Sequence, residues 1–339
     1  MSERLDALHH WLQYEITLDT PTDTPTLTLA SSDASFRRYF RWHTAQGSYI
    51  VMDAPPPQED CRPFVAVAQQ LLAAGVRVPT IFACDVTRGF LLLTDFGDTV
   101  YLDVLNSERV DVLYEAALNM LLHIQHADPH QLPLYDATLL QREMALFVDW
   151  LLLQHLRLIL SDADRAMLAQ QFALLTESAL CQPQVFVHRD YHSRNLMFSP
   201  EHPTTPGVLD FQDAVRGAIT YDLVSLLRDC YIAWPEDRVI AWVRNYQEKL
   251  QQAGLMAEVD HATFLRWFDW MGVQRHLKAS GIFARLYHRD GKIGYLADIP
   301  RTLDYIVTVC ANYPELQPLG HFVTRRVLPV LQGEFTCMP

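Results

Sequence analysis

The stretch that decides the reading runs from Gln184 to Asp213, QVFVHRDYHSRNLMFSPEHPTTPGVLDFQD. Gln184–Val187 is a short apolar run that ends at His188-Arg189-Asp190. Asn195 follows five residues later and opens a second run, Leu196–Phe198. SPEHPTTPG is dense in turn formers, and Val208-Leu209 returns as a strand that stops at Asp210. If the last two strands pair as a hairpin, Asn195 and Asp210 stand side by side at one end, with Asp190 on the preceding loop facing them. Three oxygen-bearing side chains disposed in this way suit a hard cation with open coordination positions.

Outward from this segment the chain has two characters. On its N-terminal side, after a short helix over about 3–14, strands are expected at Thr26–Ala30, Phe36–Trp42, Tyr49–Asp53, about 78–84 and Phe90–Thr94. One helix crosses among them, over 59–74, with Phe64, Val67, Ala68, Leu71 and Leu72 at helical spacing and Gly75 to close it. From Asp98 onward long amphipathic helices dominate, at 108–126, 138–159, 162–181, 220–233, 236–252 and 260–288, with two more after 300. The 184–213 segment interrupts them once. The expected class is α+β and bilobal: a β-rich N-lobe over 1–94, a hinge at 95–100 and a large helical C-lobe over 101–339 that carries the catalytic loop and the acceptor site. At 339 residues, half of them hydrophobic, the chain buries its core without disulfides, and its six scattered cysteines form no C-x-x-C pair. The start MSERLDALHHWLQYE lacks the apolar core of a signal peptide, and no run of 18 apolar residues occurs, so the expected setting is cytoplasmic.

The spacing H-x-D-x-x-x-x-N followed by a strand ending in Asp is the phosphoryl-transfer arrangement of protein kinases. There the first Asp accepts the proton of the acceptor hydroxyl, while Asn and the second Asp hold Mg²⁺ on the phosphates. Singly, each residue has an ordinary structural explanation; the full set behind a β-rich lobe is specific. Asp222, in ITYDLVSLLRD, and His188 stand as residues that order the loop.

At HRDYHSRNLMF and VLDFQDAVRGAITYDLVSLLRD the sequence resembles the aminoglycoside-phosphotransferase/choline-kinase-like superfamily. SSDASFRRYFRW, YIVMDAPP, LLLTDFGD and QRHLKASGIFARL extend the similarity over nearly the whole chain, toward the bacterial anomeric kinases of cell-wall recycling that act on N-acetylmuramate and N-acetylglucosamine. The resemblance implies a protein-kinase-like fold with ATP bound between the lobes and Mg²⁺ as cofactor. It implies transfer of the γ-phosphate to the C1 hydroxyl of an amino sugar, and a 1-phosphate product passed to a nucleotidyltransferase. Asp190 is then the base, Asn195 and Asp210 the metal ligands, and Leu93, Thr94, Asp95 and Phe96 the segment that meets adenine.

Two departures from the kinase pattern stand out. The glycine-rich phosphate loop is replaced by Ser31-Ser32-Asp33-Ala34-Ser35, whose small side chains still let backbone N–H groups approach phosphate. The lysine of the third strand is missing, with Met52 or Asp53 near its place; the first 248 residues contain no lysine at all. Arg37, Arg38 or Arg41 is expected to supply the charge, Arg38 first among them because strand alternation sets it on the face opposite Arg37.

The formal charge of −13 argues against nucleic acid and against a polybasic membrane contact. Residues 261–294 run the other way, with Arg266, Arg275, Lys278, Arg285, Arg289 and Lys292 against Asp269 and Asp290. A basic segment in an acidic chain suits an anionic acceptor, such as a sugar bearing a lactyl carboxylate. Arg275 and Lys278, three apart on one helical face, are its candidate grips. His192, Asp213, Arg228 and Tyr231 are further acceptor-side candidates, and Trp234 with Tyr231 offers a face for a sugar ring. Two rival readings stay open: an aminoglycoside or other small-alcohol kinase on the same fold, and a nucleotide-binding pseudokinase.

Overall fold

The computed structural model describes residues 2–16, 26–32, 36–45 and 47–337. In chain order the elements are α1 (Ser2–Tyr14), β1 (Leu27–Ser32), β2 (Arg38–Thr44), β3 (Gly47–Asp53), α2 (Arg62–Ala73), β4 (Ile81–Asp85), β5 (Phe90–Thr94), α3 (Tyr101–Val104) and α4 (Val110–His126). Then follow α5 (Ala137–Leu146), α6 (Asp162–Leu180), β6 (Gln184–Val187), β7 (Leu196–Met197), β8 (Gly207–Val208), β9 (Val215–Ala218) and α7 (Tyr221–Leu227). The chain ends with α8 (Glu236–Gln252), α9 (His261–Asp290), α10 (Ile299–Asn312), α11 (Gln317–Phe322) and α12 (Leu328–Cys337). Packing divides it into two compact units, Met1–Ala116 with Asn195–Asp213, and Ala117–Arg194 with Ala214–Pro339.

The first unit is built on an antiparallel five-stranded sheet in the order β1-β2-β3-β5-β4. Its core joins Leu8, Trp11 and Leu12 of α1 to Trp42, Val51, Phe90 and Leu92 of the sheet. Central β5 reads FLLL and is buried throughout those four residues, the pattern of a strand covered on both faces. The register sets Arg38 opposite Asp53 across β2 and β3. α2 is short at its start because Pro63 can only sit in a first helical turn, and it buries Phe64, Val67, Ala68 and Leu71. The β7–β8 hairpin belongs to this unit, pairing Leu196 with Val208 and Met197 with Gly207.

The second unit is organised around α9, 30 residues and so about 45 Å long. Asp260 caps its start by accepting from the Thr263 N–H at 2.9 Å, and Gly291 ends it at a left-handed φ of 68°. Of the helices expected from periodicity, 236–252 forms as read, and 138–159 forms as α5 continued by a π-helical stretch, Phe147–His155. The helix expected over 220–233 stops at Leu227. Arg228 turns out of it at φ −118°, ψ 53°, and Asp229 is taken up by backbone donors instead of helix. β9 pairs with β6 although its sequence, VRGA, carries no alternation.

α9 crosses the α5 end so closely that a Cβ on Gly281 would stand 2.3 Å from the Leu146 carbonyl carbon and 2.4 Å from its oxygen. Backbone cannot yield as a flexible side chain does. Gly281→Ala is therefore expected to destabilise the fold by about 3 kcal/mol, the upper range for overpacking. Calorimetry should show it as a fall of about 2–4 °C in Tm per kcal/mol; an unchanged Tm would refute the close crossing.

Candidate active site

The loop after β6 is shaped by two buried carboxylates. Asp222, near the start of α7 and without solvent contact, accepts the backbone N–H of His188 at 2.7 Å and of Arg189 at 3.0 Å. Asp229, just past α7, accepts the Ser193 N–H at 2.9 Å. Between these anchors Arg189 is held at φ +78°, a left-handed conformation that a side chain disfavours. Burial pushes the Asp222 carboxyl up to about 7, against the pull of the two N–H donors and of the Arg275 charge. Asp222 thus holds two backbone N–H groups of the loop, while His188 is buried and its Nδ1 lies 3.2 Å from the Asp190 N–H.

Asp190 keeps 40% of its side chain exposed, and behind it lies a buried charge cluster. Arg275 approaches it to 3.9 Å and donates to the Arg189 carbonyl at 2.7 Å and to the Tyr221 hydroxyl at 3.2 Å. Lys278 lies 3.2 Å from Glu143 and 3.0 Å from the Tyr221 hydroxyl. Glu143 also takes Arg189 and the Tyr135 hydroxyl. Three cations, Arg189, Arg275 and Lys278, thus stand around the carboxyls of Glu143 and Asp190, with Asp222 beside them. Burial works against ionisation of Asp190, but Lys278, Arg275, His192 and Arg189 together outweigh it and hold the carboxyl well below the usual range. Glu143 is depressed in the same way: burial opposes its charge, and Lys278 and Arg189 prevail.

Both candidate grips for an anionic acceptor, Arg275 and Lys278, are buried and directed at internal partners. Much of the charge excess of the 261–294 segment is met from elsewhere in the chain, Arg266 on Glu315 adding to the pairs above, while Arg289 pairs with Asp290 within the segment. Arg228 is buried with Glu236 at 2.5 Å and Asp269 at 2.8 Å. His192 lies edge-on to the ring of half-buried Tyr231 at 5.3 Å. Sequence reading missed Glu143, Tyr135, Tyr221 and Asp229. For Glu143 a signal existed: it falls on the buried stripe of α5 with Leu140 and Met144, where a carboxylate needs partners.

In the first unit the hairpin does what its sequence promised. Asn195 Nδ2 lies 3.4 Å from Asp210 Oδ2, and the Leu209 N–H donates to the Asn195 carbonyl at 3.0 Å. Asp210, at φ +63°, also accepts from Gln212 Nε2 at 2.8 Å, and Asp213 beside it is exposed. An adjacent amide and carboxylate are a hard-donor set, and they fit a divalent cation that takes its remaining ligands from phosphate and water. Of the phosphate-loop candidates, Ser31 and Ser32 pair with Tyr39 and Arg38 as the end of β1; Asp33, Ala34 and Ser35 lie outside the described residues.

Each candidate arginine has a carboxylate: Arg37 meets Glu59 at 3.1 Å, and Arg41 meets Asp95 at 2.6 Å and Asp98 at 2.7 Å. Arg38 shares fully buried Asp53 with Arg4, whose Nε lies 2.7 Å from it. Leu93 and Thr94 close β5, the Thr94 hydroxyl accepting the Thr80 N–H at 3.1 Å. Asp95 accepts the Gly97 N–H at 2.9 Å, and Phe96 lies under the Arg77 guanidinium at 4.6 Å.

A β-sheet unit ending in an amide–carboxylate hairpin, with a helical unit presenting an ionised Asp on an anchored loop, defines a protein-kinase-like phosphotransferase fold. Solved structures agree on the fold: a Plasmodium vivax ethanolamine kinase superposes with TM-score 0.63 at 10% identity, covering 92% of this chain and 88% of its own. The ADP-bound aminoglycoside phosphotransferase APH(2'')-Ib gives 0.57 at 14%, covering 88% and 97%. The phosphotransferase enzyme family matches residues 26–261, and the chain belongs to it. It is 52% identical over 295 residues to the N-acetylmuramate/N-acetylglucosamine kinase of Pseudomonas aeruginosa, spanning 87% of this chain and 86% of that one. The enzyme of that name from Pseudomonas putida is 50% identical over 298 residues, 88% and 87% of the two chains, and that from Neisseria meningitidis 43% over 323, 94% of each. The resemblance read from the sequence is thus borne out. Among the described residues no helix is long and apolar enough to cross a membrane.

Because the cations hold Asp190 ionised, removing one should raise its carboxyl toward the ordinary range. Its charged form then persists above the new, higher value and is lost sooner as pH falls. Lys278→Gln should therefore move the acidic limb of the kcat/KM profile to higher pH, and Lys278→Arg, which keeps the charge, should move it back. Profiles from pH 4 to 8 check this; superposable limbs for all three proteins would show that Lys278 does not act on Asp190.

Proposed function

We propose that the protein transfers the γ-phosphate of ATP to the anomeric C1 hydroxyl of N-acetylmuramate and N-acetylglucosamine, giving the sugar 1-phosphate. The observation that carries this reading is the partly exposed carboxylate of Asp190, with Arg275 3.9 Å away, in a chain identical at half of its aligned residues to kinases named for those two sugars.

Asp190 accepts a hydrogen bond from the C1 hydroxyl and orients its oxygen toward the γ-phosphorus. The oxygen–phosphorus bond forms as the bond from γ-phosphorus to the ADP oxygen breaks, and the hydroxyl proton passes to an Asp190 carboxylate oxygen. A carboxylate held so acidic is a weak base, so it takes the proton late, when the acceptor oxygen is already bonding to phosphorus. The anomeric hydroxyl is more acidic than an ordinary alcohol, which makes such a base sufficient. Asn195 and Asp210 would hold Mg²⁺, which when bound neutralises charge on the phosphates. The segment Leu93–Phe96 meets the adenine through its backbone. Arg4 and Arg38 share the single Asp53 carboxylate, which leaves a net positive charge there toward the nucleotide. The 1-phosphate is the form a sugar-1-phosphate nucleotidyltransferase consumes, which suits recycling of cell-wall sugars in the cytoplasm.

A panel of amino sugars with Mg·ATP, read by NMR for the phosphorylated carbon, should place phosphate on C1, and Asp190→Asn should abolish transfer while ATP binding persists. A 6-phosphate would overturn the anomeric assignment, and phosphorylation of kanamycin in place of either sugar would move the acceptor class to aminoglycosides. Arg38→Ala should raise KM for ATP severalfold; unchanged KM and turnover would remove Arg38 from the nucleotide site.

A further inference from the structure

If Arg275 and Lys278 are occupied inside the protein, the cation that meets an acidic acceptor must come from elsewhere. Arg194 meets that requirement. It is exposed, and among the described residues its guanidinium makes no hydrogen bond and no ion pair. It lies on an aromatic face: the guanidinium carbon is 3.6 Å from the centroid of the Tyr231 ring, with the Tyr295 ring at 5.8 Å. Asp298, whose carboxyl feels the Arg194 charge, has Arg301 as its ion-pair partner at 3.5 Å.

This arrangement is built. Tyr231 is wedged between His192 at 5.3 Å and Phe283 at 6.2 Å, and Tyr295 stacks on Phe283 at 5.7 Å with 21° between the planes. A guanidinium lying on a ring has its apolar face covered, while its N–H donors point outward in the ring plane, a fork that matches a carboxylate. The loop that carries Arg194 is tied down at Ser193 by Asp229. It stands four positions along the chain from Asp190, which puts the two Cα atoms within about 14 Å of each other. His192, between them, feels both the Asp190 and the Arg194 charge.

We propose that Arg194, stacked on Tyr231, receives the lactyl carboxylate of N-acetylmuramate and so sets the enzyme's preference between the acidic and the neutral amino sugar. The inference rests on the acceptor reading given under Proposed function. N-acetylglucosamine has a plain hydroxyl where N-acetylmuramate carries the lactyl ether, so only the latter offers an anion to the fork. The contact is partly open to water, so it weakens with added salt.

The test compares kcat/KM for the two sugars at saturating Mg·ATP in the wild-type full chain, Arg194→Gln and Arg194→Lys. Arg194→Gln should lower the ratio of N-acetylmuramate to N-acetylglucosamine efficiency about tenfold, chiefly through KM for the muramate. Arg194→Lys, cationic but without the planar fork, should recover part of it. The wild-type ratio should fall with ionic strength, and the Gln variant's should not. An unchanged ratio overturns the proposal, whether both efficiencies drop together or neither does; a joint drop with a raised KM for ATP would instead assign Arg194 to the nucleotide. A wild-type protein that phosphorylates neither sugar overturns the acceptor reading itself, and this proposal with it.

Discussion

Asp222 holds the loop after β6 by its backbone. Its two oxygens accept the N–H groups of His188 and Arg189, and no water reaches them. An unmade hydrogen bond at a buried donor costs about 1–3 kcal/mol, so this carboxyl can keep Arg189 in a left-handed conformation it would otherwise leave. The consequence is geometric. With Arg189 turned that way its carbonyl accepts from Arg275 and its guanidinium meets Glu143, while the next residue, Asp190, faces outward. The same device recurs at the loop's other end, where Asp229 takes the Ser193 N–H.

Behind Asp190 the charges form a closed set, and each makes its neighbour tolerable to bury. Glu143 sits on an otherwise apolar stripe because Lys278 and Arg189 answer it, and Tyr135 and Tyr221 fill the remaining hydrogen-bonding positions. Buried ion pairs seldom add net stability, because desolvation of the ions offsets their attraction. Their effect here is electrostatic: Lys278, Arg275 and Arg189 favour the charged form of Asp190 against its burial. That accounts for the basic character of α9 without assigning its buried cations to a ligand.

Several of these features are legible in the amino-acid order. The turn-rich SPEHPTTPG between two short apolar runs announces the hairpin, and the hairpin brings Asn195 to Asp210. The run FLLL and the Phe64–Leu71 spacing announce β5 and α2, because burial period is a local property. Other features are not. Periodicity carries α7 to residue 233, whereas the chain leaves helical geometry at Arg228, whose side chain meets Glu236 and Asp269 and whose neighbour Asp229 is bound to the loop. Strand β9, VRGA, has no alternation to read; its pairing with β6 comes from the partner strand. For Arg275 and Lys278 the sequence shows charge and helical face, but not the internal partners that meet them.

By itself, then, the sequence determined the α+β class, the order of strands and helices, and the identity and spacing of Asp190, Asn195 and Asp210, since these depend on local periodicity and turn chemistry. Tertiary structure alone decided which charges are answered inside the protein, and by which partners. Glu143 and Lys278 lie on α5 and α9, far beyond the reach of any helical period, yet they stand 3.2 Å from each other. The pairing of buried ions is settled by long-range packing, because in a medium of low polarity an unanswered charge is too costly to keep.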